Sequence, residues 1–176
     1  MSGTGTLRRG LAASLTTPTD IAPDARDRVV QSLNVLLADA FALYLKTKNF
    51  HWHMVGSHFR DYHLLLDEQA DQIFAATDVL AERVRKIGGT TIRSIGHIAR
   101  LQTIADDDAG EHSAFEMLQA LCEDNQRYTA ELRRAHGVCD DANDVATASL
   151  LENFIDESER RTWFLFEVIS GGEHTK

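Results

Sequence analysis

The sequence predicts an all-α protein: a four-helix bundle whose second and third helices are joined by a long crossover. Apolar residues recur at three- and four-residue steps through most of the chain, which is the helical period. The two prolines, Pro18 and Pro23, both lie near the N-terminus, and most glycines lie in the first ten positions, at 88–89 or at 171–172. The chain between these positions is therefore free of helix breakers over long stretches.

The length and composition fit a single globular domain. The chain has 176 residues, of which 43% are hydrophobic and 26% are charged, as is usual for one ordinary domain. Residues 1–22 are rich in Gly, Thr, Ser and Ala and show no sustained period. We therefore expect a flexible tail over 1–22, a four-helix bundle domain over 23–170 and a short C-terminal tail over 171–176.

Periodicity and turn residues place the individual helices. Gly56 is a suitable stop for the first helix, Ser57 a cap for the second, and Gly88-Gly89 the end of the second. The predicted helices cover about 23–53, from the Ser57 cap to 88, a short stretch near 97–101, about 112–136 and about 144–169. The crossover over 88–111 is long enough to pass from one end of the bundle to the other. Helix, helix, long crossover, helix, helix is the ferritin-like topology.

The charge of the chain argues against a protein that coats nucleic acid. The formal net charge is −9, and a homo-oligomer would multiply it. The first 20 residues offer only Arg8 and Arg9 against Asp20, which is far from a lysine-rich arm. DNA binding is therefore doubtful on sequence grounds.

The lack of long apolar runs and the low cysteine content indicate a soluble intracellular protein. No apolar run approaches the roughly 20 residues needed to cross a bilayer, and the N-terminus lacks the apolar core of a secretory signal. We expect a cytoplasmic protein with no membrane partner. Cys122 and Cys139 are too few and too far apart for a disulfide scaffold, and we interpret them as small apolar fillers.

Four potential metal ligands share one stripe of the second helix. At about 100° per residue, with His63 at zero, Asp67 lies near 40°, Asp78 near 60° and Glu82 near 100°. The apolar core positions of the same helix centre near −100°. This outward stripe, comprising His63, Asp67, Asp78 and Glu82, faces away from the chain's own core. A solvated face is the ordinary reading of such a run, but Leu64 and Phe74 lie within the stripe and favour a protein interface.

Helical rise limits what one copy of the stripe can bind. His63 and Asp67 are one turn apart, and so are Asp78 and Glu82, but Asp67 and Asp78 are separated by about 16 Å along the axis. A second copy running antiparallel across a two-fold axis would bring the His63/Asp67 end of one helix against the Asp78/Glu82 end of the other. Two equivalent sites per dimer are the result.

His51 adds a second nitrogen to this set. It precedes Gly56 by five residues and His63 follows Gly56 by seven, so both imidazoles are predicted at the same end of the helical hairpin. Two histidines and three carboxylates suit iron, which accepts both ligand types, and zinc would also fit. Larger ferritins instead build an intrachain centre with Glu-x-x-His steps, and no such step occurs in this sequence.

The residues around the predicted turn resemble a known family. The segment Lys48-Asn49-Phe50-His51-Trp52-His53-Met54-Val55-Gly56, the segment Asp61–Glu68, and Asp78-Val79-Leu80-Ala81-Glu82-Arg83 are similar to the signature of the Dps family of mini-ferritins, in which HWxxxG precedes H, D and DxxxE at fixed spacing. The strong match covers about 40 residues, and the helix layout extends it to roughly 24–170.

The resemblance implies an assembly and an activity. It implies a hollow homododecamer with tetrahedral symmetry and a ferroxidase centre at each two-fold interface. His51, His63 and Asp67 would come from one subunit, and Asp78 and Glu82 from its partner. Family members oxidise ferrous iron with hydrogen peroxide or oxygen, hold ferric mineral inside the shell and so protect against oxidative damage.

For some further residues, the resemblance to the Dps family is the only basis for assigning a role. Trp52 matches a tryptophan that intercepts stray oxidising equivalents, although a packing role is an equal alternative. Asp140, Asp141 or Asp144 match the acids of pores at one class of three-fold axes, and helix capping is the competing interpretation for this stretch. Two other functions remain open: a nucleoid-protecting DNA-binding protein with little ferroxidase role, and a structural oligomer that oxidises no iron.

Overall fold

A computed structural model describes residues 15–172 of the chain, and helices account for most of them. In chain order the helices are α1 (Pro23–His53), α2 (Phe59–Lys86), α3 (Ile95–Leu101), α4 (Ala114–Asp141) and α5 (Val145–Gly172). The all-α class and the short helix in the crossover are therefore confirmed. Most of the predicted N-terminal tail, residues 1–14, and the last four residues of the predicted C-terminal tail lie outside the described residues.

The four long helices form two antiparallel hairpins around one core. α1 pairs with α2 and α4 with α5, while α1 also packs on α4. The core consists of apolar side chains from all four long helices, among them Leu33, Leu36, Leu43, Phe50, Leu66, Leu80, Leu121, Leu132, Leu151 and Leu165. Each helix contributes residues three or four positions apart, so each presents one stripe to the core.

The central position of α1 explains its hydrophobicity. By length and composition α1 is apolar enough to cross a membrane, with a window of mean hydropathy 1.3. Within the bundle, however, Val29, Leu33 and Leu37 of this helix are 0–1% exposed. α1 is apolar because it packs against two neighbouring helices, and we interpret it as a core helix.

Three predicted boundaries differ from the structure. α4 continues five residues beyond 136 because the turn after Gly137 places Cys139 and Ala142 in the core, and that burial outweighs the cost of a helical glycine. α5 ends at Gly172, three residues beyond the predicted 169, so the first two residues of the predicted C-terminal tail are helical. Ser57 does not cap α2: the cap position is His58, whose side chain makes no capping hydrogen bond.

A buried carboxylate fixes the crossover onto α1. Asp39 is fully buried and accepts hydrogen bonds from the Thr103 amide, from the Thr103 hydroxyl at 2.8 Å and from the Ile104 amide at 3.1 Å. Ile104 is itself buried against the core. The crossover therefore has a defined position along the bundle rather than a free path across it.

Gly88 makes room for the segment that precedes α1. Thr17 Oγ1 donates to the Arg85 carbonyl at 2.8 Å, and a Cβ on Gly88 would lie 2.6 Å from the Thr17 carbonyl oxygen. Gly88 also has φ +82°, a left-handed conformation that favours glycine. The end of α2 thus accepts a close backbone neighbour that any other residue would exclude.

Candidate metal centre

The first of two candidate half-sites, each being one of the two partial sets of candidate ligands, lies where α1 ends and α2 begins, and it consists of His51, His63 and Asp67. The imidazole rings of His51 and His63 are stacked, with centroids 3.7 Å apart and an interplanar angle of 20°. His51 Nδ1 donates to the His63 carbonyl at 2.8 Å, and His63 Nδ1 donates to the His51 carbonyl at 3.0 Å. The five-residue turn between the two helices brings these residues together, as the spacing around Gly56 predicts.

These reciprocal hydrogen bonds define the tautomer of both histidines. A carbonyl oxygen can only accept, so each Nδ1 carries the proton, and in the neutral ring each Nε2 keeps a free lone pair. A backbone carbonyl on the second ring nitrogen is the usual arrangement for histidine that ligates a metal. His51 Nε2 lies 3.7 Å from Asp67 Oδ1, so nitrogen and carboxylate ligands face the same space.

Lys48 holds the carboxylate of this half-site in its charged form. Lys48 Nζ donates to Asp67 Oδ1 at 2.6 Å. That hydrogen bond, aided by the lysine charge and by the two nearby histidines, keeps the pKa of Asp67 below its usual range. The carboxylate is therefore ionised throughout the neutral range and is available to bind a cation.

The second candidate half-site, consisting of Asp78 and Glu82, lies near the other end of α2. Asp78 and Glu82 are both exposed, one turn apart on the same face of the helix. Lys86 Nζ lies 3.2 Å from Glu82 Oε2, one turn further on. Each half-site thus pairs a carboxylate with a lysine ammonium, which balances the charge of an exposed anion.

The structure brings His51, His63 and Asp67 together and leaves Asp78 and Glu82 apart from them. Eleven residues separate Asp67 from Asp78, or about 16 Å of helix. Within residues 15–172, no group of three or more His, Cys, Asp or Glu side chains is placed to hold a metal ion. One copy of the chain therefore presents two partial ligand sets rather than one complete set.

Large apolar side chains surround the two half-sites and face outward. Trp52, next to His51, is 59% exposed, and Phe74, between the half-sites, is 51% exposed and contacts the rings of Tyr44 and Phe41. A groove of about 830 Å³ opens beside Trp52, between α1, α3 and the crossover; its apolar lining includes Phe41, Tyr44, Leu45, Ile95 and Ile98. Such a surface is typical of a protein interface.

The three acids assigned to a pore occupy different environments. Asp140 and Asp141 are exposed at the end of α4, and Asp140 Oδ2 lies 3.2 Å from His136 Nδ1. Asp144 is 3% exposed, accepts from the Thr147 amide at 3.1 Å and pairs with Arg83 Nη2 at 2.5 Å. Asp144 therefore caps α5 and joins it to α2, so a pore would rest on Asp140 and Asp141.

Sequence reasoning did not identify the lysine beside the second half-site. Glu82 and Lys86 are four residues apart on a helix, a spacing that favours an ion pair, so the signal was available in the sequence. Sequence reasoning also did not identify the contacts that Arg83 and Arg161 make between α2 and α5. An arginine that packs between helices has no periodic pattern in the sequence that distinguishes it from an exposed arginine.

Comparison with known proteins assigns the fold to a class. The ferritin-like domain pattern matches residues 30–173. DpsC from Streptomyces coelicolor has a similar structure, with a TM-score of 0.83, 30% identity, and coverage of 87% of this chain and 90% of that one. A Dps protein from Bacillus brevis is similar with a TM-score of 0.81, 31% identity, and coverage of 85% and 99%. The chain is thus a ferritin-like protein.

Sequence relatives narrow the class to a family. The DNA protection during starvation protein of Brevibacillus brevis is 35% identical over 133 residues, which is 76% of this chain and 89% of that one. The DNA protection during starvation protein 1 of Deinococcus radiodurans is 32% identical over 141 residues, covering 80% and 68%. The chain belongs to the Dps family of mini-ferritins.

Proposed function

We propose that this protein is a ferroxidase and an iron store whose centres form between subunits. The observation that carries the proposal is the division of the candidate ligands. His63 and Asp67 of α2 lie with His51 of α1 at one end of α2, and Asp78 and Glu82 lie on the same exposed face near the other end. A two-fold axis across α2 would join the unlike ends of two copies, and it would do so twice per dimer.

The ligand chemistry supports ferrous iron as the substrate. Two neutral imidazole nitrogens with three carboxylates suit Fe²⁺, and zinc would fit the same set as a substitute. The carboxylates also stabilise the ferric product, which carries one more positive charge. With hydrogen peroxide as oxidant, two Fe²⁺ and two protons are consumed for each peroxide, giving two Fe³⁺ and two waters; oxygen is the alternative oxidant. Trp52, exposed beside His51, is placed to intercept an oxidising equivalent that leaves the site.

The exposed apolar surface supports a homo-oligomer. Trp52 and Phe74 together with the groove beside α3 would be covered by the second copy that completes the site, which removes this apolar area from water. The proposed assembly is a closed dodecamer located in the cytoplasm, with ferric mineral held inside the shell. Protection against oxidative damage follows from the removal of ferrous iron and peroxide together.

A complementation experiment tests whether the centres are shared. One variant carries His63→Ala and Asp67→Ala, and another carries Asp78→Ala and Glu82→Ala. Neither homo-oligomer should oxidise iron at the wild-type rate, because every two-fold site lacks two ligands. After the two are refolded together, about half the dimers should be mixed, each with one intact site of two, so about a quarter of wild-type sites should return. Confirmed subunit exchange without recovered activity contradicts shared centres.

DNA protection is the second candidate function, and the names of two relatives favour it. The formal charge of −9 per chain opposes binding to a polyanion at physiological salt. Gel retardation that weakens steeply as salt rises would support DNA binding, and this result could coexist with iron oxidation. An oligomer that assembles but consumes neither iron nor peroxide would instead support a structural role.

A further inference from the structure

A layer of polar side chains crosses the bundle core between α2, α4 and α5. Arg161 of α5 is only 4% exposed. Its Nε donates to Asn125 Oδ1 and its Nη1 to Gln72 Oε1, both at 2.8 Å. Gln69 Nε2 donates to the Arg161 carbonyl at 3.4 Å. One buried side chain thus joins α5 to α4 and to α2.

This guanidinium is an unusual choice for a core position. Burial lowers the pKa of Arg161 to about 10, so the group is still charged at neutral pH. Its two described side-chain hydrogen bonds end on neutral amide oxygens of Asn125 and Gln72. A buried charge is costly, and well-packed apolar residues commonly replace such groups without loss of stability. Stability alone therefore gives little reason for an arginine here.

The contact on α2 lies between the two half-sites. Gln72 follows Asp67 by five residues and precedes Asp78 by six, which is about 7.5 and 9 Å along the axis. Around the helix, Gln72 lies about 130° from the centre of the outward stripe. Arg161 therefore contacts α2 from behind the half-sites, on a side that leaves the stripe free for a second copy.

We propose that Arg161 is a positioning residue for the metal centre: through Gln72 it fixes the rotation and the axial position of α2. This inference rests on the proposed shared centres. Metal–ligand distances tolerate about 0.2 Å, whereas a slip of one residue moves a helix by 1.5 Å and turns it by 100°. Four of the five candidate ligands, His63 and Asp67 at one end and Asp78 and Glu82 near the other, lie on α2 and must meet the opposite half-sites of another copy. The pair Arg83–Asp144 makes a second link from α2 to α5, at the Glu82 end.

Cobalt binding to the assembled protein tests this role without relying on turnover. Co²⁺ is a spectroscopic substitute for Fe²⁺ whose ligand-field absorption reports coordination geometry. Particles of Arg161→Met and of Gln72→Leu, purified at wild-type size, should bind Co²⁺ about ten- to a hundredfold more weakly, with altered ligand-field bands, as when ligand orientation is lost. Gln72→Glu keeps an oxygen acceptor for Arg161 and should restore both affinity and spectrum.

Arg133→Met is the matched control. Arg133 is an exposed arginine of α4 that pairs with Glu159 of α5 and not with α2, and its replacement should leave Co²⁺ affinity within about twofold of wild type, as expected for a surface pair. Wild-type Co²⁺ binding by an assembled Gln72→Leu particle overturns the inference. Loss of assembly in Gln72→Leu also overturns it, because the layer would then hold the fold rather than the site. A different result would contradict the proposed function itself: Asp67→Asn would then bind Co²⁺ with the same affinity as the wild type.

Discussion

At the residue scale, the most informative feature is the pair of reciprocal hydrogen bonds between His51 and His63. Each ring is oriented by the backbone of the other residue, so the turn between α1 and α2 builds the nitrogen side of the site from local structure alone. The orientation of both imidazole rings is therefore fixed by hydrogen bonds within the chain itself. Arrangement in advance reduces the ordering that metal binding would otherwise require.

Asp67→Asn should separate metal binding from folding. The amide is nearly the same size as the carboxylate but carries no charge, and Asp67 is 45% exposed in its side chain, so the fold should be retained. We expect the initial rate of iron oxidation to fall about ten- to a hundredfold, as is usual when one site group is lost. Asp71→Asn, an exposed acid one turn further along α2, is the control and should retain the wild-type rate. Equal rates for the two variants would exclude Asp67 as a ligand.

The two cysteines should be unreactive in the folded protein. Burial raises the pKa of Cys139 to about 12 and also raises the pKa of Cys122. Since the thiolate is the reactive species, a thiol with a pKa of about 12 is about 0.01% ionised at pH 8. A disulfide reagent at pH 8 should label neither residue quickly in the native protein and both in denaturant. Rapid native labelling would contradict their role as core fillers.

At the element scale, the junction between α4 and α5 depends on Asp144. The carboxylate caps α5 through the Thr147 amide and also pairs with Arg83 of α2. Asp144→Ala removes a cap, at about 1 kcal/mol, and leaves a partly buried guanidinium without its partner, at about 1–3 kcal/mol more. We expect a clearly lower unfolding temperature by calorimetry. Asp141→Ala, at an exposed neighbour, should change the unfolding temperature little. Equal effects of the two variants would show that neither the cap nor the pair with Arg83 stabilises the fold.

The helices and the outward stripe could be predicted because both follow a simple period. Pro23 set the start of α1, and the positions of His63, Asp67, Asp78 and Glu82 on a helical wheel indicated an exposed face. The end of α4 could not be predicted, since burial of Cys139 and Ala142 in the tertiary structure overrides the local preference of Gly137. The burial of Asp144 and Arg161 escaped prediction for the same reason: it depends on which helices pack together.

At the scale of the whole molecule, the proposed function requires more than one copy of the chain. Its candidate ligands are divided, and the exposed aromatic side chains of Trp52 and Phe74 lie beside and between the two half-sites. Twelve subunits of 19.6 kDa give a particle of about 235 kDa. We expect light scattering at micromolar concentration to give this mass. A monomer, or a dimer that does not associate further, would contradict the closed shell even if that dimer oxidised iron.

Iron must also reach the inside of such a shell, and the exposed acids at the end of α4 define the proposed route. Three copies meeting at a three-fold axis would bring together six carboxylates of Asp140 and Asp141, a local field that concentrates cations. Asp140→Asn with Asp141→Asn should therefore slow mineral growth, measured by light absorption of the ferric core, while particle size and Co²⁺ binding stay unchanged. Because screening weakens attraction between exposed charges, added salt should slow uptake by the wild type and have little effect on the variant. If the variant takes up iron at the wild-type rate and with the wild-type salt dependence, iron enters the shell by another route.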